Sequence, residues 1–413
     1  MATATKMKRG QVTEALVARI AEIHDFLNLY NIERKEQIDL ALMCMIGGID
    51  GLFIGPPGTG KTWMLELMLL LVDDADQDDL FSTLVFKETP ADDILGPRSL
   101  PAMKEGRIER LMDGFLPRSR MGYLDEIFKA SPTLVNALLD LLANRKLKVG
   151  ANVHDCSDLL VIYGSSNELP DREDMLPFRD RWGVTNIVPP VKAPENRRKV
   201  LEIQDAYQAN ARTLDLSDAP RITLDEITQA RQEARMVELP SALLENIVKA
   251  EEKWEGHGFL PSQRRMGQII MGLKTRAWMR GAGEASTDDM IVAQHMAWNH
   301  PDDADAAREV VLEFANAFAR KAARMKEALE PILTEMDRVK REVQTAGTDQ
   351  ALIEAQMEDA FKVMRDLRRL KREASDQITQ GEQAGHDVDD LKAVLGEITR
   401  ANEWVTKTFA EDD

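Results

Sequence analysis

The run Gly55-Pro56-Pro57-Gly58-Thr59-Gly60-Lys61-Thr62 has the residue types and spacing to hold a phosphate chain, fitting G-x-x-x-x-G-K-S/T. Glycines 55, 58 and 60 let successive backbone N–H groups curl inward at a helix N-terminus, whose dipole favours anions. Lys61 would reach the β- and γ-phosphates of a bound nucleotide, and Thr62 would offer its hydroxyl to Mg²⁺. A second set follows in "RMGYLDEIFK", where Asp125 and Glu126 close a short apolar stretch. A carboxylate at the end of a parallel strand sits at the ligand edge of a sheet, so Asp125 can hold the magnesium shell and Glu126 can polarise the water that attacks the γ-phosphate. Taken alone, such an acidic pair is equally a solvated turn. The third candidate is Asn167, at the mouth of the apolar run 159–164. An amide can donate to phosphate and accept from water at once, although an isolated asparagine in "NELPD" also suits a turn cap.

These groups need elements to position them. Residues 51–54 read as a buried strand and 63–71 as a helix, the strand–loop–helix setting the phosphate motif demands. Residues 121–124 read as another strand, with Ser131-Pro132 starting the next helix. Ahead of the loop, 11–29 and 34–46 read as helices, the first with apolar residues at Leu16, Ile20, Ile23 and Leu27. The three prolines of "PPVKAP" mark a boundary, and 195–300 read as almost wholly helical, with a cap at Ser286-Thr287.

The chain has 413 residues, 44% hydrophobic and 30% charged, which suits a globular protein with more than one core. A net charge of −18 opposes general attraction to nucleic acid or anionic lipid. Cys44 and Cys156 lack CxxC spacing, and the six histidines form no metal motif. The N-terminus shows no apolar leader and no run reaches the ~20 residues of a membrane span, so a cytoplasmic location is expected.

The ordered series "FIGPPGTGKT", "ETPADDILGPRSLPAMKEGRIERLMDGFLPRSRMGYLDEIFKASPTLVNALLDLLANRKLKVGANV", "GSSNELPDRED", "RDRW" and "PSQRRMGQII" resembles the AAA+ ATPases of the MoxR family, nearest its RavA-type branch. The resemblance covers roughly residues 15–300. It implies an α/β P-loop domain with a parallel sheet over 1–193, an α-helical lid over 194–304, ATP and Mg²⁺ as ligands, a homohexameric ring, and a partner bearing a von Willebrand factor A (VWA) domain. It assigns Asn167 to sensor 1, Arg181 to the arginine finger with Arg179 as understudy, and Arg264 to sensor 2 with Arg265 as fallback. Without it, Arg181 would read as a surface arginine paired with Asp180 or Asp174. Residues 95–117 resemble the helix-2 insertion and 144–158 a hairpin, both implied to face a pore and a client protein. The chain departs from the family at Asn144, where an acid is usual, at Trp182 in "RDRW", and at Trp63, which is expected near the nucleotide or against the lid.

Beyond 305 the apolar spacing changes to a coiled-coil seam running from Val311 to Val343, then Ile353 to Leu367, then Val388 to Phe409. Pro331 should kink the first helix or begin a new one, and Gly347 and "TQGEQAGHD" should allow reversals, giving a three-helix hairpin over 305–413. The RavA-type branch carries a β-rich module in this region, for which the chain has no room. The basic run 365–373 reads as a solvated helix face. The expected function is a Mg²⁺-dependent ATPase remodelling a client protein. The alternatives are a ring motor acting on nucleic acid, and a nucleotide-gated scaffold with negligible turnover.

Overall fold

The structure, a computed structural model, describes residues 10, 12–76, 78–169, 175–210, 214–315, 317–346, 357–383, 386 and 388–409. They fall into two compact units, Met1–Arg308 and Glu309–Asp413.

In the first unit, Leu16, Ile20, Ile23 and Leu27 are the buried residues of α1 (Glu14–Tyr30), as their helical spacing requires. Helix α2 (Lys35–Gly47) is buried along most of its length and ends at Gly48, whose φ of 63° is a left-handed cap. Then follow β1 (Gly51–Ile54), α3 (Lys61–Leu69), β2 (Leu80–Leu84), α4 (Ala91–Leu95), α5 (Leu100–Lys104), β3 (Met121–Asp125) and α6 (Pro132–Asn144). Next come β4 (Lys146–Val149), β5 (Asn152–Asp155), β6 (Val161–Ser166), α7 (Leu176–Arg179) and β7 (Val184–Ile187). Ser131 caps α6 by accepting from Leu134 N, with Pro132 at the first helical position.

The main sheet is parallel throughout, in the order β2-β3-β6-β1-β7, while β4 and β5 form a separate antiparallel hairpin. In β1 every residue is buried, as a strand between two neighbours must be when helices cover both faces. Register decides what meets at each edge. Gly51 lies beside Tyr163 and Val184, and Ile54 beside Ser166 and Ile187, so the loop leaving β1 emerges next to the residue following Ser166. One face of the sheet is closed by Leu124, Ile162, Leu138, Phe178 and Trp182.

After β7 the first unit is helical: α8 (Pro194–Ala209), α9 (Leu224–Met236), α10 (Ser241–Gly256), α11 (Gln263–Met279) and a 3₁₀ segment, Thr287–His295. Ser286 and Asp289 form a reciprocal capping box there, so the expected cap is present but opens a 3₁₀ stretch. Glu233 ties this region to the N-terminal segment: its carboxylate, 1% exposed, accepts from Thr13 N, Thr13 Oγ1, Gln229 Nε2 and Trp278 Nε1 at 2.6–3.0 Å.

After α12 (Ala304–Phe314), the second unit is built from α13 (Ala317–Ala346), α14 (Met357–Gln383) and α15 (Asp389–Phe409) around Leu329, Leu367, Leu391 and Ile398. One expectation needs correction. The seam beginning at Val311 is divided between α12 and α13, and α13 runs through Pro331 without starting a new helix. Helix α14 ends at Gln383, inside "TQGEQAGHD", and α15 begins at Asp389, so the expected break falls there; a Cβ on Gly381 would lie 2.2 Å from Val388 Cγ1 and 3.3 Å from Phe318 Cδ1, so glycine is needed for close packing. Gly347, Ile353 and part of "TQGEQAGHD" lie outside the described residues. Among the described residues no helix is long and apolar enough to cross a membrane.

Candidate functional site

The loop from β1 to α3 is built by glycines with different duties. Gly58 and Gly60 have φ of 78° and 82°, a backbone conformation that strains L side chains, yet a Cβ on either would meet open space. Gly55 is required for closeness, since its Cβ would sit 2.2 Å from Val188 O. Thr59 Oγ1 donates to Pro56 O at 2.9 Å, bracing the turn around Pro57. Lys61, 7% exposed, donates through Nζ to Gly55 O at 2.6 Å, Pro56 O at 3.1 Å and Asn167 Oδ1 at 3.2 Å. Burial pushes the Lys61 pKa down; Asp125 and Glu126 oppose that shift and the Arg34 guanidinium adds to it.

Asn167 thus stands beside Lys61 because β6 runs parallel to β1. Its Nδ2 also donates to Glu126 Oε1, so one amide joins the phosphate-loop lysine to the acidic pair. Glu126 has a φ of 55°, rare for a residue with a side chain, and Lys129 lies 3.4 Å from its carboxylate. Thr62 Oγ1 donates to Asp125 Oδ2 at 3.2 Å. A hydroxyl and a carboxylate side by side are hard oxygen donors suited to Mg²⁺, which keeps waters and phosphate oxygens for its other positions. Among the described residues no group of three or more His, Cys, Asp or Glu could form an all-protein metal cage.

Sequence reading missed the groups behind this layer. Tyr123 OH donates to Thr62 Oγ1 at 3.0 Å and lies 2.9 Å from Ser165 Oγ, which donates to Asp125 Oδ1. Burial raises the Tyr123 pKa, keeping the hydroxyl protonated. The signal available was alternation: Tyr123 precedes Asp125 by two on one strand, as Ser165 precedes Asn167 on the other. Arg34 was also missed. It is 4% exposed and donates from Nε and Nη2 to Thr59 O at 3.1 and 3.0 Å. Trp63 packs edge-on against Tyr207 of α8, with ring centroids 4.9 Å apart. Tyr207, Ile203, Tyr30 and Ile32 line a cavity of about 570 Å³.

The two arginines assigned by resemblance gather elsewhere. Arg181 donates through Nε to Leu139 O at 2.9 Å and also to Pro177 O. Arg264, 40% exposed in its side chain, has Asp180 at 3.6 Å; Asp180 therefore pairs with the lid arginine, and Asp174 lies outside the described residues. Arg265 is a buried pin, donating to Gly183 O, Met296 O, Arg179 O and Asn299 Oδ1 at 2.6–3.4 Å, and burial lowers its pKa to about 10. Arg179 is 3% exposed. Gly183 leads into β7, which begins beside Gly51. The phosphate loop leaves the other end of β1, about 13 Å away at ~3.3 Å per residue.

The insertion and the hairpin meet. A Cβ on Gly150 would lie 3.1 Å from Ile108 Cβ, and Leu100, Met103, Ile108, Leu111 and Val153 are exposed. Asn144 Nδ2 donates to Asp140 at 2.6 Å, while Arg145 turns back to Asp50.

Comparison with known proteins adds three findings. The model of the MoxR domain in MoxR-vWA-beta-propeller ternary systems matches residues 18–232, and that of an AAA lid domain matches 239–311. Two uncharacterized proteins of Methanocaldococcus jannaschii are similar over most of their length: one is 26% identical over 324 residues, 78% of this chain and 83% of the relative, and the other 25% identical over 322 residues, 78% and 81%. A crystal structure of a provisionally assigned ATPase from Cytophaga hutchinsonii superposes with a TM-score of 0.58 at 15% identity, covering 73% of this chain and 96% of that one, a likeness of fold.

Proposed function

This chain belongs to the MoxR family of AAA ATPases, and we propose that it hydrolyses ATP with Mg²⁺ in a homohexameric ring that remodels a client protein. The observation that carries this reading is Asn167, whose one amide touches both Lys61 and Glu126. Lys61 and the loop N–H groups bind the β- and γ-phosphates, and Thr62 and Asp125 would hold Mg²⁺. Bound there, the ion would neutralise charge on the transferring phosphoryl group. Glu126 takes a proton from the attacking water while the bond from the γ-phosphorus to the β–γ bridging oxygen breaks and ADP leaves. Asn167 orients that water and reads the γ-phosphate.

Arg181 and Arg264 act on a neighbouring subunit's γ-phosphate. Their shared position around Asp180, a strand's length from the phosphate loop of the same chain, supports both acting in trans; the resemblance implied this for Arg181 alone. Such an arginine can be worth orders of magnitude in rate. The exposed apolar residues of the insertion and hairpin support contact with a client protein. The family's name supports a VWA-domain partner and adds a β-propeller protein, which the sequence reading did not include. The RavA-type likeness rests on the ordered motif series. A nucleic-acid motor is disfavoured by the net charge of −18, and a scaffold by the complete set of hydrolytic groups.

The test is phosphate release with ATP and Mg²⁺ for the wild type, Glu126→Gln, Arg181→Ala, Arg264→Ala, and equal mixtures of Glu126→Gln with either arginine variant. The reading expects every single variant to be impaired and both mixtures to recover turnover, because each arginine variant retains Glu126 and its neighbour supplies the arginines. A wild type that releases no phosphate at any protein concentration overturns the ATPase. An Arg264 mixture that stays inactive while the Arg181 mixture recovers returns Arg264 to its own subunit.

A further inference from the structure

We propose that Glu33 and Arg34, adjacent in the turn between α1 and α2, are positioning residues that tie the phosphate loop to helix α8, making phosphate binding and the seating of α8 one event. The inference rests on the ATPase reading above and names a coupling within that site.

One half of the tie is Arg34. Its guanidinium grips Thr59 O with Nε and Nη2, while Nη1 donates to Glu33 O at 2.8 Å. In a planar trans peptide the carbonyl of Thr59 and the N–H of Gly60 point in opposite directions. Fixing Thr59 O outward therefore fixes the Gly60 N–H inward, toward the phosphates. Gly60, on one side of that peptide, restricts its rotation less than a residue with a side chain would, so an external clamp has a purpose.

The other half is Glu33. Its φ of 59° is a conformation residues with side chains rarely adopt, and its carboxylate reaches across to the segment entering α8. Oε2 accepts from Lys192 N at 2.9 Å, and Oε1 accepts from Ala193 N at 3.2 Å and Asn196 Nδ2 at 2.7 Å. Ala193 is the N-cap of α8 and supplies no side-chain cap, so Glu33 caps the helix from a distant point in the chain. Burial works against the charge of Glu33, yet these donors and Arg34 hold its pKa below the usual carboxylate value.

Helix α8 itself has no buried side chain. Helices in proteins are held chiefly by packing, so the fastenings at its ends matter: Glu33 at its start and Tyr207, edge-on to Trp63, near its end. Trp63 follows Lys61 by two residues. The start of α8 is thus attached through Glu33 to Arg34, which grips the loop, and its end to Trp63, the residue after Thr62, and the cavity of about 570 Å³ lies between α8 and the α1–α2 turn. Its lining includes no residue of the phosphate loop, so the loop and α8 are joined by the Glu33–Arg34 turn and the Trp63–Tyr207 contact and not by the cavity.

The experiment uses the full chain, with ATP as probe. Three quantities are read: KM, kcat, and the ATP-induced change in tryptophan emission that is lost in Trp63→Phe. Glu33→Gln is expected to raise KM about 3- to 10-fold with kcat nearly unchanged, and to remove most of the Trp63 signal. Arg34→Lys, which cannot fork onto Thr59 O, should weaken ATP binding by about 10-fold. Asn196→Ala, which approaches the tie from α8 and spares both residues, should move KM and the signal in the same direction by less, and Arg198→Gln, exposed on the same helix, should move neither. Wild-type KM and Trp63 signal in Glu33→Gln and Asn196→Ala overturn the coupling. Lys61→Ala in the same titration separates the two levels: if it binds ATP as tightly as the wild type, the nucleotide-site reading itself falls.

Discussion

The two edges of the parallel sheet carry similar residue types arranged to opposite ends. At the edge where β1 begins, Asp50 is 3% exposed and saturated: Arg145 grips both carboxylate oxygens at 2.6 and 2.9 Å, and Ile162 N donates at 2.8 Å. At the edge where β1 ends, no ion pair within 4 Å joins Lys61 to Asp125 or Glu126 among the described residues. Lys61 is held by carbonyl and amide oxygens, and Asn167 links it to Glu126. A saturated carboxylate–guanidinium pair has nothing to offer a ligand, whereas neutral acceptors around an ammonium can be exchanged for phosphate oxygens. Holding and exchanging therefore sit a strand's length apart.

That contrast can be broken most severely at Asp50. Asp50→Ala removes a buried carboxylate and leaves the half-buried Arg145 without its charge partner, which should cost about 3 kcal/mol of unfolding free energy, read by chemical denaturation. If Asp50→Ala unfolds like the wild type, the holding edge is misread. Glu126→Gln is the counterpart at the exchanging edge. Phosphate release should fall by about 10²-fold or more, in the range for removing a group that acts on the proton in transit, while ATP affinity and unfolding stay close to wild type.

Glu233 in α9 tests the same terms on the helical side of the first unit. Glu233→Ala should remove about 1–3 kcal/mol by leaving Thr13 and Trp278 donors without their acceptor. Burial disfavours the Glu233 carboxylate, but hydrogen bonds from Thr13, Gln229 and Trp278 leave its pKa lowered. Its stabilising contribution is therefore complete above the ordinary carboxylate value and is lost as pH falls through the lowered folded one. Acid titration of the wild type should show a loss of stability in the first unit that Glu233→Ala does not. The smallest expected change is at Tyr123. Tyr123→Phe leaves the Thr62–Asp125 contact without its outer hydroxyl, and the Mg²⁺ concentration for half-maximal turnover should rise by about 10-fold, the low end for groups behind a metal ligand.

Local spacing made much of this site legible. Lys61 and Thr62 follow their glycines in one loop, and Asp125, Glu126 and Asn167 stand at strand ends that hydropathy alone marks. The P-loop α/β class followed from the same signals, and the sheet order and helical lid agree with it. The second unit was legible as coiled-coil spacing, and the helix before "TQGEQAGHD" ends inside it at Gln383; that Gly381 packs against Val388 and Phe318 was not legible, because those contacts come from other parts of the unit.

Other features could not be read without the fold. Tyr123 and Ser165 meet only because β3 pairs with β6 in one register, where Leu124 faces Gly164. Glu33 reaches residues 159 to 163 positions away in the chain, and Arg34 reaches Thr59 across another helix. Arg264 and Arg265 are neighbours in sequence, yet one is a buried pin and the other stands exposed beside Arg181. The sequence by itself determined which chemical groups the protein owns and that a phosphate loop would form, since these depend on neighbours along the chain. Tertiary structure alone decided which of those groups share an edge, because strand register and helix docking join residues whose separation in sequence carries no information about distance.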